Sequence, residues 1–264
     1  MAEFERYLKA DLVKFCQDLG INTMKKTKKE LIQEAYELEK KEITEAIGKG
    51  KGYDFLTAKM EELAERYSDS LRIKIDNRKE EMQADDNSHY LIYRVLGIAT
   101  EEGRLIDEYQ NTGRFLYKYA GSFLEEAASL CLKFKNVDGG KILVENNQGQ
   151  RPKTFEIDFL DGNNAIEIKW RDATTDGDHI TKEHTRVKAI QSHGHIPIRV
   201  MFYYPQRTQA IRIQETLKTI YAGVKGEYYG GEEAWEYIKN YSGYDLKEIL
   251  TKIADKRTPE DGSK

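Results

Sequence analysis

One short segment, residues 155–170, constrains the fold of this chain more than any other part of the sequence. Apolar and polar residues alternate over 155–160 and again over 165–170, and Gly162-Asn163 lies between the two runs. Successive side chains of a β-strand point to opposite faces, and a Gly-Asn pair suits a two-residue hairpin turn. The segment therefore predicts an antiparallel hairpin with one apolar face and one polar face.

The polar face of this predicted hairpin brings two carboxylates together. The turn places Asp158 opposite Glu167, and Glu156 opposite Lys169. A solvated polar face is the ordinary interpretation of such alternation, but like charges directly opposite each other destabilise a sheet. Two carboxylates at this spacing can instead share Mg²⁺, and a lysine beside them can orient water and stabilise charge on a phosphate. The apolar face carries Phe155, Ile157, Phe159, Ile166, Ile168 and Trp170.

The segments on either side of the hairpin continue an alternation of helices and strands. The periodicity predicts a helix at 114–135, strands at 141–145, 154–160 and 165–170, a helix at 180–193, a strand at 198–204, and helices at 208–222, 232–239 and 245–255. This order predicts an α/β fold. Residues 104–113 are predicted to be a polar connection, and residues 226–231 an aromatic, glycine-containing loop.

The charged residues of the hairpin match a known pattern. Ile157-Asp158, followed after eight residues by Glu167-Ile168-Lys169, resembles the PD-(D/E)xK nuclease motif, with isoleucine at the position where the motif names proline. The resemblance covers about residues 114–222. It implies a restriction-endonuclease-like core, with a mixed central sheet flanked by helices. It also implies Mg²⁺ held by Asp158, Glu167 and the Ile168 carbonyl, and Lys169 as the residue that orients or helps to deprotonate the attacking water.

A fourth catalytic residue is implied by the same resemblance. Many of these nucleases carry a glutamate on the helix before the first strand, often in a Gly-x-x-x-Glu pattern, and residues 121–125 match that pattern. The resemblance therefore implies that Glu125 is catalytic. Helical periodicity places Glu126 nearer the apolar stripe, so Glu126 remains the alternative.

The segment after Lys169 is the predicted DNA-reading element. It leaves the hairpin at the end where the predicted site lies, and it is rich in donors suited to base edges and phosphates. In the superfamily, the loop and helix at this position commonly face DNA. A solvated loop followed by a polar helix is the alternative. The candidate DNA-binding residues are Arg171, Thr174, Asp178, His179, Lys182, Arg186 and Lys188.

The N-terminal region is predicted to be helical and separate from the nuclease core. Its pattern of leucines, Gly20 and paired lysines over residues 8–32 resembles a SAP-type helix–turn–helix of DNA-associated proteins. A small helical cap is the alternative. Three glycines at 48–52 predict a linker, so the expected domains are residues 1–48 and a nuclease domain at 53–264.

Composition excludes several other classes of protein. The chain has 264 residues, a net charge of −4 and two cysteines, Cys16 and Cys131, which are too few for a disulfide framework or a cysteine-rich zinc site. It contains no apolar run of the ~20 residues that a membrane helix needs, and it begins without the apolar stretch of a signal peptide. A cytoplasmic protein without membrane contact is expected.

These features together predict a sequence-specific, Mg²⁺-dependent endonuclease of double-stranded DNA, resembling type II restriction enzymes. Cleavage of both strands at a palindromic site implies a homodimer. One alternative is another nuclease of the superfamily, such as a junction-resolving or repair enzyme. The other is a non-catalytic DNA-binding protein in which the acidic pair is structural.

Overall fold

The computed structural model describes residues 13, 16–17, 20–24, 26–149, 151–171 and 177–258. The helices are α1 (Lys28–Gly48), α2 (Gly52–Ala84), α3 (Tyr90–Val95), α4 (Thr100–Lys135), α5 (Gly177–Ser192), α6 (Thr208–Gly223), α7 (Glu232–Ser242) and α8 (Leu246–Arg257). The strands are β1 (Gly140–Glu145), β2 (Thr154–Asp161), β3 (Asn164–Arg171), β4 (Ile196–Tyr203) and β5 (Glu227–Gly230). None of the helices in these described ranges is long and apolar enough to cross a membrane.

The five strands form one mixed sheet in the order β1-β2-β3-β4-β5. The first three strands are antiparallel, and β3, β4 and β5 are parallel. This arrangement confirms the predicted α/β class with a mixed central sheet flanked by helices. Next to the turn the hairpin has the predicted register, because Phe159 pairs with Ile166 and Asp161 pairs with Asn164. Gly162 takes the left-handed φ of +56° that the two-residue turn requires.

The centre of the sheet is buried on both faces. Six consecutive residues of β4, at positions 197–202, are buried, which occurs when helices cover both sides of a parallel strand. Ile157, Phe159 and Ile166 of the hairpin are also fully buried. A Cβ added at Gly139, just before β1, would lie 2.5 Å from the Phe159 ring. The chain can therefore pass over the hairpin at that position only as glycine.

The chain divides into two compact units. One unit comprises the residues up to Ala58 together with Glu125–Lys264, and it contains the whole sheet. The other is Lys59–Leu124, which is helical. The expected boundary between residues 48 and 53 remains a prediction.

Two local expectations were wrong. Residues 104–113 are not a connection but part of α4, a helix of 36 residues, in which Asp107 accepts a hydrogen bond from Tyr93 and Asn111 accepts hydrogen bonds from Arg78. These tertiary bonds outweigh the poor helical propensity of the segment. The aromatic loop at 226–231 contains β5, which pairs with the buried strand β4.

The SAP-like N-terminus is not confirmed. Leu31 and Ile32 of α1 pack against Cys16 in a small apolar cluster. Leu8, Leu12 and Leu19, which carry the first half of that pattern, lie outside the described residues.

Candidate active site

The β2–β3 hairpin brings Asp158, Glu167 and Lys169 together. The two carboxylates lie on neighbouring strands and are only 4% and 2% exposed. The Ile168 N–H donates a 2.8 Å hydrogen bond to Asp158 Oδ2, which holds the carboxylate across the hairpin. Lys169 Nζ lies 3.5 Å from the same oxygen and contacts Glu167 Oε1. The structure thus joins the three residues of the predicted motif in one ion-pair cluster.

Burial and neighbouring charges shift the pKa values of the two carboxyl groups in opposite directions. Burial raises the pKa of Asp158 to about 7, and Glu167 acts in the same direction, while Lys169 opposes it. Burial acts on Glu167 as well, but Lys169 and Arg186 outweigh it and hold the pKa of Glu167 below its usual value. Near neutral pH, Glu167 is therefore ionised, whereas Asp158 is only partly ionised.

One oxygen of the pair is left unsatisfied. Glu167 Oε2 is buried and has no hydrogen-bond partner in the part of the chain that the structure describes. An unpaired buried acceptor costs ~1–3 kcal/mol, and more when it is charged. A hard divalent cation would satisfy this oxygen, because Mg²⁺ takes oxygen ligands and binds through one or two carboxylates. The donor set therefore fits the metal that the sequence motif implies.

The Ile168 carbonyl, the third implied metal ligand, accepts a 3.0 Å hydrogen bond from Lys169 Nζ. Burial acts to lower the pKa of Lys169, but Glu167 and Asp158 outweigh burial and raise it. The side chain keeps 33% of its surface exposed. Lys169 is accordingly a cation that reaches solvent at the edge of the site.

A second group of carboxylates surrounds Lys141 of β1. Glu125 on α4 and Glu156 on β2 both accept hydrogen bonds from its ammonium group, at 2.5 and 3.1 Å. Glu125, Glu156 and Asp158 offer oxygens within 4.8 Å of one another, a spacing that could hold a metal ion. Lys141 thus pairs with both Glu125 and Asp158. This contact links Glu125, the glutamate that the resemblance implies, to the motif residues.

A buried network of ion pairs lies next to Glu167. Arg186 of α5 contacts Glu167 Oε1. Glu183, one turn earlier, accepts hydrogen bonds from Arg199 at 3.1 Å and from the Tyr221 hydroxyl at 2.5 Å. Burial acts to raise the pKa of Glu183, but Arg199 and Arg186 outweigh it and lower that pKa to about 2.

The sequence interpretation missed most of this support. Arg199 stands in the middle of the most apolar strand, and Lys141 is a lone charge before three apolar residues. A charge in such a run is buried with a partner if the strand is buried. That signal was present for both residues, but the identity of the partners depends on the tertiary fold.

The candidate DNA-binding residues are only partly described. Arg171, Lys182 and Lys188 are exposed, and the Arg171 guanidinium lies 5.6 Å from the centre of the Trp170 ring. Arg186 is directed towards Glu167. Thr174 lies outside the described residues, and so do the side chains of Asp178 and His179.

The strand order, the helices on both faces and the acidic hairpin define a nuclease of the restriction-endonuclease-like fold. Residues 24–255 match the family model described as ApaLI-like restriction endonuclease. That match covers most of the chain, so the chain belongs to this family and is a type II site-specific deoxyribonuclease. No curated protein and no solved structure matches the chain.

Proposed function

We propose that this chain cleaves double-stranded DNA at a specific sequence in a Mg²⁺-dependent reaction, with Asp158, Glu167 and Lys169 as its catalytic residues. The observation that carries the proposal is the buried, unpartnered Oε2 of Glu167 beside a second carboxylate, in the part of the chain that the structure describes. The proposal keeps the cytoplasmic location that the sequence predicts.

Asp158, Glu167 and the Ile168 carbonyl would hold the metal. When bound, Mg²⁺ would lower the pKa of a water molecule and place positive charge beside the phosphate. The charge of Glu167 is already present at neutral pH, because Lys169 and Arg186 lower its pKa. Asp158 has to lose its proton, since burial raises its pKa to about 7.

Lys169 would position the attacking water and stabilise the phosphate. Because its pKa is raised, it remains an ammonium ion at neutral pH and donates hydrogen bonds rather than accepting a proton. Its partial exposure allows it to reach both groups. Glu125 would act on Asp158 through Lys141, which lies 3.7 Å from Asp158 Oδ1.

DNA contacts would come from the segment that follows β3. Arg171, the last residue of β3, and Lys182 of α5 are exposed. Correct base contacts there would be transmitted to Glu167 and Lys169 along one strand and helix. We keep Thr174, Asp178, His179 and Lys188 in this set, whereas Arg186 serves the site by pairing with Glu167.

A second copy of the chain is the proposed partner. In the unit Lys59–Leu124, the side of α4 opposite Asp107 and Asn111 carries large exposed apolar residues. They are Leu105, Ile106, Tyr109, Leu116 and Tyr117, with exposures from 38% to 71%.

Helix α3 and the residue that follows it add Leu91, Ile92, Val95 and Leu96, whose side chains are 59% to 74% exposed. Large exposed apolar side chains of this kind mark surfaces that associate with a partner. A homodimer would give the two active sites that cutting both strands requires.

Incubation of the protein with plasmid DNA and Mg²⁺ tests the proposal. Discrete fragments that disappear with EDTA are expected, and the Lys169→Ala variant should bind DNA but cut it at least ~100-fold more slowly, as when a charge-stabilising donor is removed. Lys252→Ala, a distant exposed lysine of α8, serves as the control and should cut normally. Nicking without discrete fragments would indicate a structure-selective nuclease, and cleavage by Lys169→Ala at a near-normal rate would refute the assignment of the lysine.

A further inference from the structure

Lys141 is a buried lysine that the proposed chemistry uses only as the link between Glu125 and Asp158. Its side chain is 3% exposed. It lies at an irregularity in the β1–β2 ladder, where Gly140 pairs with Leu160 but Ile142 pairs with Ile157. The extra residue belongs to β2, so Lys141 alone lies opposite both Asp158 and Phe159. The Lys141 side chain is directed into the acidic cluster that includes Asp158.

Three carboxylates converge on the Lys141 ammonium group. Its Nζ lies 2.5 Å from Glu125, 3.1 Å from Glu156 and 3.7 Å from Asp158. The ammonium group donates hydrogen bonds to Glu125 and Glu156, and Asp158 is its third ion-pair partner. Those three oxygen-bearing groups are the ones whose spacing could hold a metal ion. The ammonium group therefore occupies the centre of a potential cation site.

A metal ion and Lys141 cannot use this cluster together. Mg²⁺ binds oxygens at about 2.1 Å, so an ion held by Glu125 and Glu156 would lie within a few ångströms of Nζ. Repulsion between two buried cations at that distance is severe, because screening there is weak. Asp158 directs Oδ1 towards Lys141 and Oδ2 towards the Ile168 N–H and Lys169. It thus lies between a resident ammonium and the proposed metal position beside Glu167.

We infer that Lys141 is a built-in cation that takes the place of a second metal ion, so that each active site binds one divalent ion. This inference rests on the proposed function, since it assigns the single ion to Asp158 and Glu167. It gives Glu125 and Glu156 a defined task, which is to hold Lys141 rather than to ligate metal. Lys141 is accordingly a positioning residue.

The number of Mn²⁺ ions bound per chain tests the inference. It can be measured without DNA by titration calorimetry, and independently from the electron paramagnetic resonance signal of free Mn²⁺. The unchanged protein should bind one ion, and Lys141→Met should bind two, because the substitution removes the cation that competes with a metal ion for the oxygens of Glu125 and Glu156. Lys141→Arg keeps the charge and should bind one. Lys133→Met removes a lysine that is 5% exposed and paired with Glu39, away from this cluster, and should also bind one.

The possible outcomes separate the inference from the proposed function. Two ions in the unchanged protein would overturn the inference alone, and so would one ion in a folded Lys141→Met variant. Zero ions in the unchanged protein would overturn the metal site of the proposed function. If Lys141→Met fails to fold without metal, the count for the unchanged protein decides the matter, because two ions there contradict the inference and one supports it.

Discussion

At the scale of single residues, Asp158 combines two opposing demands. It must be ionised to bind a metal, yet it is buried beside Glu167, and this environment raises its pKa to about 7. Its ordinary value is 3.8. A carboxyl group whose pKa is higher in the folded protein stabilises the fold at low pH, and this contribution is lost as the pH rises through about 7. The metal-free protein should therefore lose stability as the pH rises from about 4 to about 7, and this contribution should change little above that.

Asp158→Asn should remove this dependence. Without metal, we expect the variant to melt at a higher temperature than the unchanged protein at pH 8, and the difference should shrink at pH 5. A gain of ~1 kcal/mol would shift the melting temperature by about 2–4 °C in a chain of this size. Mg²⁺ should raise the melting temperature of the unchanged protein but not that of the variant. Melts at both pH values, with and without Mg²⁺, check this. An equal response of both proteins to Mg²⁺ would contradict the metal site.

Individual residues also show how far sequence alone could lead. Asp158, Glu167 and Lys169 were predictable because one hairpin with a two-residue turn fixes their relation locally. The partners of Lys141, Arg199 and the other buried cations come from elements far apart in sequence, and no local pattern specifies them.

At the scale of elements, α5, β4 and α6 meet through one buried carboxylate. Glu183 bonds to Arg199 of β4 and Tyr221 of α6, and its pKa falls to about 2 from a usual 4.5. A lowered carboxyl pKa gives stability that is present above pH 4.5 and is lost as the pH falls towards 2.

Glu183→Gln should destabilise the fold by about 3–5 kcal/mol at pH 7, because Arg199 is left buried without its counter-charge. The difference between variant and unchanged protein should shrink below pH 4.5. Urea unfolding at pH 7 and at pH 3.5 measures it. Glu232→Gln breaks an exposed pair with Lys247 and should change stability by less than ~1 kcal/mol. A similar effect of both substitutions would show that the buried network is not stabilising.

The element after β3 is expected to read the DNA sequence. Alanine at Arg171 or Lys182 should weaken cleavage of the cognate site far more than alanine at Lys29, which removes an equal charge near the start of α1. A lost base contact should cost ~1–3 kcal/mol and relax specificity at one position. Cleavage of cognate and one-mismatch oligonucleotides at several salt concentrations separates this from a phosphate contact, which weakens all sequences alike. Greater loss of discrimination from Lys29→Ala would place recognition in the N-terminal region.

Elements differ in how well sequence predicts them. The sheet strands β1 to β4 and most helices follow clear apolar periods. Residues 104–113 of α4 do not, because that face of the helix is held by polar bonds to Arg78 and Tyr93. The four-residue strand β5 is too short to show a period, and its pairing with β4 depends on the tertiary fold.

At the scale of the whole molecule, the exposed apolar residues of α3 and α4 predict the assembly. The unchanged protein should have twice the mass of its 30.6 kDa chain in light scattering. The double substitution Tyr109→Lys and Leu116→Lys should yield monomers, because it introduces like charges at the contact. Ile73→Lys replaces an equally exposed residue of α2 in the same unit and should remain dimeric. A monomeric unchanged protein would contradict the proposed homodimer.

The short hairpin between Asp158 and Glu167 also affects the order in which the active site assembles during folding. The two carboxylates are nine residues apart, so the nascent chain can bring them together in microseconds. Arg186 arrives only when the crossover through α5 allows β4 to pair in parallel with β3, which is a slower, non-local step. Until then Lys169 of the same hairpin offsets the repulsion between the carboxylates without the help of Arg186. We therefore expect the site to mature late, so that an incompletely folded chain in its host leaves DNA intact.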